Sequence, residues 1–168
     1  MDIQPQIWEA ARATSAATTY FDPITIGRFR QRFVDGGLGF TNPIAIVLDE
    51  AVDAWVNAKE TVQCIVSIGT GEPFTGSVGQ NAPAVLKTLT ELATETEKTA
   101  ARFKKDHDAY VTDGKYYRFN VVKGLEDVGL EEHEKVDKIA DATDRYMEHD
   151  DQFAKVCRFQ QQITSKSE

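Results

Sequence analysis

The segment VQCIVSIGTG, Val62 to Gly71, constrains the fold more than any other stretch of the chain. A nearly continuous apolar run closed by glycines is the pattern of a strand covered on both faces, as in a parallel sheet flanked by helices. KYYRFNV, Lys115 to Val121, reads as a second strand. Around these two the apolar residues recur at helical spacing. Pro43 suits a first helical turn with Asn42 as its cap, and Ile44, Leu48, Ala51, Val52, Trp55 and Val56 follow as one stripe. Val85, Leu89, Leu92, Ala93, Ala100 and Phe103 mark a longer helix from about Ala84 to Lys105. Two further helices are expected near Glu132 to Met147 and Asp150 to Gln162. Strands alternating with helices make an α/β protein.

The remaining segments are less decided. Ile7 to Ala17 reads as a helix with a small face, ended by the Pro23 region. Between Ile24 and Phe33, the residues Phe29 and Phe33 separate from Arg28, Arg30 and Arg32 under either a period of two or an i, i+4 spacing, so strand and helix both fit. Glu72 to Pro83 carries Pro, Gly, Ser and Asn and is expected to be a loop. No internal repeat is visible. Residues 1–163 read as one folded segment, with 164–168 as a disordered tail.

Composition narrows the function classes. In 168 residues, 41% are apolar, enough for a buried core. Acidic residues outnumber basic ones, 27 to 19, and the net charge of −8 argues against a nucleic-acid partner. Cys64 and Cys157 form neither a CxxC pair nor a disulfide framework, which fits a reducing, cytoplasmic setting. The N-terminus lacks a basic region followed by an apolar core, and no run approaches the ~18 apolar residues of a membrane span. A secreted or membrane-spanning chain is not expected.

FVDGGLGFTNP, Phe33 to Pro43, is the stretch with chemistry in it. An aspartate leaving a strand end in an α/β protein stands where such folds place their sites. Gly36 and Gly37 permit a sharp turn and keep side chains away from the Asp35 carboxylate, which could then hold or deprotonate a hydroxyl. Taken alone, the Asp-Gly pair is more simply an ordinary turn.

Four blocks in order extend beyond that motif. WEAARATSAATTYF (Trp8 to Phe21), FVDGGLGFTNPI, CIVSIGTG (Cys64 to Gly71) and YYRFNV with GLEDVGLEE (Tyr116 to Glu132) resemble the C-terminal half of a patatin-like phospholipase domain, particularly of fungal type. One departure is Thr18, where the family usually has Pro after SAA. The resemblance covers nearly the whole chain. It implies the C-terminal portion of a three-layer α/β/α sandwich and a serine acyl hydrolase acting on phospholipids or other acyl lipids, without a cofactor. It also implies that Asp35 is the aspartate of a Ser–Asp dyad, with Gly36 and Gly37 completing its motif.

The family's nucleophile sits in a GxSxG elbow upstream of that aspartate, behind a glycine-rich oxyanion loop. Only 34 residues precede Asp35 and neither motif is among them, so Met1 reads as an internal methionine or the start of a truncated frame. Two near misses exist. TGSVG has Thr75 where glycine is required before Ser77, and IVSIG places Ser67 inside a strand with Ile65 where glycine is required. Neither is expected to be the nucleophile. The alternative function is therefore a non-catalytic remnant or interaction module of a signalling protein.

Other residues yield weaker signals. His107, His133 and His149 have no metal-ligand spacing and are expected on a solvated surface. No P-loop or dinucleotide fingerprint follows any glycine cluster. Arg28, Arg30 and Arg32 could meet a phosphate headgroup, although a charged face is the simpler reading. The apolar helical stripes are expected to be core, and any part of them lacking its partner layer would be an exposed apolar patch.

Overall fold

A computed structural model describes residues 3–18, 20–72, 84–126, 128–129 and 132–164. The chain divides into two units, Met1–Thr41 and Asn42–Glu168.

The first unit opens with helix α1, Ile7–Ala13. Its entry is a reciprocal cap: the Gln6 side chain serves the third helical residue, and the Gln6 backbone N–H donates to Glu9 Oε2 at 2.8 Å. The helix is shorter than the expected Ile7 to Ala17. Thr14 Oγ1 and Ser15 Oγ both donate to Ala11 O, at 3.1 and 2.7 Å, and hydroxyls that bond the last turn in this way compete with continued helix. The segment left open between strand and helix is a hairpin. Strand β1, Ile24–Ile26, pairs antiparallel with β2, Gln31–Phe33, with Ile24 opposite Phe33, Thr25 opposite Arg32 and Ile26 opposite Gln31. Directly opposed residues share a face. Ile24, Ile26 and Phe33 therefore lie on the less exposed side, and Thr25 and Arg32 on the exposed one. Gly27 turns the chain at φ +74°, a left-handed conformation that glycine adopts without steric cost.

The second unit holds the strands expected from the sequence. Strand β3, Ile65–Ile68, pairs in parallel with β4, Tyr116–Phe119, so that Ile65 lies opposite Tyr116 and Ser67 opposite Arg118. The helices are α2 (Ile44–Ala54), α3 (Ala58–Thr61), α4 (Ala84–Asp106), α5 (Asp108–Thr112), α6 (Val136–Glu148) and α7 (Asp150–Thr164). Ile44 and Leu48 of α2, Phe103 of α4 and Tyr116 of β4 form the buried cluster, flanked by Ala45, Val62, Ile65 and Tyr110. Phe103 reaches Tyr116 with ring centroids 5.2 Å apart, while Phe159 of α7 meets Tyr117 edge-on at 5.3 Å. Neighbouring residues leave a strand on opposite faces, so β4 is packed on both of them.

Two expectations change here. Helix α2 stops at Ala54, and Trp55 takes an extended conformation, φ −127° and ψ 129°. Trp55 and Val56 consequently leave the stripe and are 66% and 90% exposed. Strand β3 is not covered on both faces: Ser67 is buried, but Ile68 is 78% exposed. Among the described residues the sheet has only two strands, which leaves β3 an edge without further cover. Of the expected loop Glu72 to Pro83, all but Glu72 lies outside the described residues, as do residues 165–168 of the expected tail; Thr164, the tail's expected first residue, instead ends α7. Among the described residues no helix is long and apolar enough to cross a membrane.

Candidate active site

The first unit brings two of the four sequence blocks together at Asp35. Its backbone N–H donates to Ala16 O at 3.0 Å, and Ala16 is fully buried within the SAA stretch. Strand β2 ends two residues earlier, at Phe33, so Asp35 leaves the hairpin with its main chain already anchored. Asp35 is extended, φ −56° and ψ 143°, and a single 3₁₀ turn follows over Gly36–Leu38. The half-buried carboxylate caps that turn, Oδ1 accepting the Gly37 N–H at 2.5 Å. Oδ2 has no partner among the described residues. A carboxylate with one oxygen fixed and the other open can accept a proton in a defined direction.

The glycines have different roles. Neither Gly36 nor Gly37 has a positive φ, so the expected demand for a sharp turn does not explain them. Space explains Gly37: a Cβ there would come within 2.8 Å of Asp35 Oδ1. At Gly36 a Cβ would meet only Phe40 Cβ at an ordinary 3.6 Å. A cleft of about 340 Å³ in this unit is lined by Tyr20, Phe21, Pro23, Arg32 and Val34 among others, and does not include Asp35.

The near-miss serines separate. Ser77 lies outside the described residues. Ser67 is 8% exposed inside β3, and its Oγ accepts from Arg118 Nη1 at 2.9 Å. A nucleophilic serine needs a base to take its proton, whereas Ser67 faces a cationic donor. Asp35 and Ser67 belong to different units.

Ser67 is part of a polar network that the sequence did not announce. Arg118 Nη2 reaches Glu97 Oε1 at 2.6 Å, and the same oxygen accepts Asn120 Nδ2 at 2.9 Å. Asn120 Oδ1 in turn accepts the Gly71 N–H at 2.8 Å, and its backbone N–H donates to Tyr146 Oη at 3.2 Å. A Cβ on Gly69 would collide with the Asn120 amide and the Arg118 guanidinium. The network therefore packs directly against the glycines that close β3. Burial raises the Tyr116 pKa above its ordinary value, with Arg118 opposing the shift. On the other side of β4, Lys155 Nζ donates to Arg118 O and Gln152 Oε1, and desolvation followed by repulsion from Lys104 and Arg158 lowers its pKa.

The histidines do not converge. His133 and His149 are exposed, as expected, but His107 is half-buried and stacks on Phe103 with ring centroids 4.4 Å apart. Its place at the junction of α4 and α5 makes it a packing residue, which corrects the solvated reading. Cys64 and Cys157 are both free thiols.

Comparison with known proteins bears on nearly the whole chain. It is similar to the protein named calcium-independent phospholipase A2-gamma of rabbit, 32% identical over 154 residues, which is 88% of this chain and 18% of the relative. The mouse counterpart is 33% identical over 155 residues, 89% of this chain and 19% of the relative. Phospholipase A I of Arabidopsis thaliana is 38% identical over 66 residues, 39% of this chain and 5% of the relative. The chain thus spans less than a fifth of the length of the phospholipase A2-gamma proteins it matches. No family model and no solved structure matches the chain. Its relatives are phospholipases, and its mixed helices and small sheets are consistent with part of a patatin-like domain.

Proposed function

We propose that this chain is part of a patatin-like lipid acyl hydrolase and that Asp35 is the base of its Ser–Asp dyad. The observation that carries the reading is the Asp35 turn: a carboxylate anchored through Ala16 and Gly37, with one oxygen open, in a chain whose relatives are phospholipases. The serine is assigned to a segment of the protein outside these 168 residues. In the cycle, Asp35 accepts the serine proton as the serine oxygen attacks the ester carbon. The tetrahedral intermediate collapses, and the alcohol leaves with a proton, giving an acyl-enzyme. Water, deprotonated by the same carboxylate, then releases the fatty acid and restores the serine.

The three-layer sandwich and the fungal affinity belong to the same proposal. Packing of Tyr116 and Tyr117 against helices on opposite faces of β4 supports the first. The order of the four sequence blocks supports the second. The two relatives of phospholipase A2-gamma type are named calcium-independent, in keeping with a dyad that needs no metal. A cytoplasmic setting fits the two free thiols.

The test is Asp35→Asn in the longest native open frame that contains this chain. Hydrolysis of phospholipid esters should be lost with the circular dichroism unchanged, and wild-type activity should persist in a chelator. Near-normal turnover by Asp35→Asn would remove the assignment. A fluorophosphonate should leave the 168-residue chain unlabelled. Labelling at Ser67 or Ser77 would place the nucleophile inside it.

A further inference from the structure

We propose that the tip of the β1–β2 hairpin docks this chain on an anionic phospholipid bilayer. The tip is the four-residue turn Gly27–Arg30, closed by the Arg30 N–H to Gly27 O bond at 3.0 Å. Phe29 stands at its apex, 66% exposed, between Arg28 and Arg30, and Arg32 follows on the exposed face of the hairpin. None of the three guanidinium groups has an ion-pair or hydrogen-bond partner among the described residues. An exposed aromatic ring among unpaired arginines suits the boundary between headgroups and acyl chains, where the ring enters the apolar side and guanidinium pairs with phosphate.

The fold does not ask for these residues at the tip. Arg30 sits at φ +52°, a conformation that glycine or asparagine would hold with less strain. Phe29 borders a cleft of about 180 Å³ that Ile3 and Ile26 also line, yet its ring stays largely in water. Charge is unevenly distributed along the sequence. Residues 1–41 hold four arginines and four carboxylates, so the whole net charge of −8 lies in residues 42–168. An anionic surface attracts the three unpaired arginines of the hairpin. A nucleic acid would demand a wider basic area than three residues of a hairpin provide.

The inference deepens the lipid-hydrolase reading and rests on it only in naming the bilayer as the surface where substrate is met. Its test needs no turnover. The 168-residue chain is sedimented with vesicles of phosphatidylcholine alone or mixed with phosphatidylserine, beside Phe29→Ser and a triple variant carrying Arg28→Ala, Arg30→Gly and Arg32→Ala. The triple variant should bind the mixed vesicles roughly a hundredfold less well, from about one decimal order for every one and a half arginines lost. Phe29→Ser should lose roughly tenfold, and added salt should weaken the wild type and Phe29→Ser, which keep the arginines, far more than the triple variant. Arg30→Gly by itself, which relieves the backbone, should keep the fold and still lose part of the binding. Equal binding to neutral vesicles, unchanged binding by both variants, or binding to a single-stranded RNA probe without any vesicle binding would each overturn the proposal. Loss of the Asp35 assignment would not alter these sedimentation results, so the two readings fail separately.

Discussion

The Asp35 carboxylate leaves no room for a side chain at Gly37: Oδ1 accepts the Gly37 N–H at 2.5 Å, and a Cβ on Gly37 would lie within 2.8 Å of the same oxygen. Gly37→Ala should therefore displace the carboxylate, while Gly36→Ala, with an ordinary 3.6 Å contact, should not. In an active form of the protein, Gly37→Ala is expected to lower kcat by at least about tenfold, from loss of a positioned base. Gly36→Ala should stay near wild type. Equal effects of the two substitutions would show that the spacing beside the carboxylate is not what the motif protects.

A second expectation concerns the network behind β3. The Arg118 side chain is 8% exposed and donates to both Ser67 and Glu97. Arg118→Met removes the cation and leaves Glu97 with only the Asn120 amide as a described partner on that oxygen. Because the Glu97 side chain is 35% exposed and water can serve it, breaking the pair costs about 2 kcal/mol, less than for a fully buried one. Urea unfolding of Arg118→Met should show that loss, with Ser67→Ala milder at about 1 kcal/mol. If Arg118→Met unfolds at the wild-type midpoint, the network contributes no stability.

How much of this was visible in the sequence depends on the range of the interaction. Strands β3 and β4, the long α4 and, to within one residue, the start of α2 follow from local patterns, because an apolar run, a proline and a helical stripe act within a few residues; Pro43 is the N-cap of α2, the position expected for Asn42. The hairpin was ambiguous because two three-residue strands around a four-residue turn are too short for a period of two to prevail over i, i+4 spacing. Asp35, Gly36 and Gly37 were legible as a motif, but the bond from Asp35 to Ala16 joins positions that no periodicity links. Arg118 was read only as part of an apolar strand. Its partners Ser67 and Glu97 come from another strand and a helix, and a polar residue in a strand does not declare whether it faces water or a carboxylate. Trp55 was misassigned because the stripe of α2 continues past the residue at which the backbone leaves the helix.

Packing gives a third expectation. Phe103 is 2% exposed and contacts both Tyr116 and His107, so it joins α4 to β4 and to the start of α5. Phe103→Ala removes a buried ring, at a cost of about 3 to 5 kcal/mol. The matching control is Phe153→Ala, 63% exposed on α7, which should fall within about 0.5 kcal/mol of wild type. A small effect at Phe103 would mean that the cluster with Ile44 and Leu48 is not the core of this unit.

The alkaline limb of stability supplies the last expectation, and its sign follows from two tyrosines. Burial raises the pKa of both Tyr116 and Tyr117 above the ordinary value of 10.0. A raised folded pKa means that the native state holds its proton where the unfolded chain has released it. The resulting stability is complete below pH 10 and is lost as pH rises through the folded values. Lys155 acts in the opposite sense: its lowered pKa makes the native state release a proton earlier, and stability rises with pH just below the ordinary lysine value of 10.5. Tyr117 also donates to Gln162 Oε1 at 2.7 Å, a bond that ionisation removes, whereas Tyr116 Oη is buried without a described partner. Tyr116→Phe should therefore leave neutral-pH stability undiminished and flatten the loss above pH 10. Lys155→Met should steepen the net decline in the same range by removing the opposing contribution. Denaturant midpoints measured from pH 8 to 11 would check both, and an alkaline limb unchanged in Tyr116→Phe would show that its buried hydroxyl does not drive the decline.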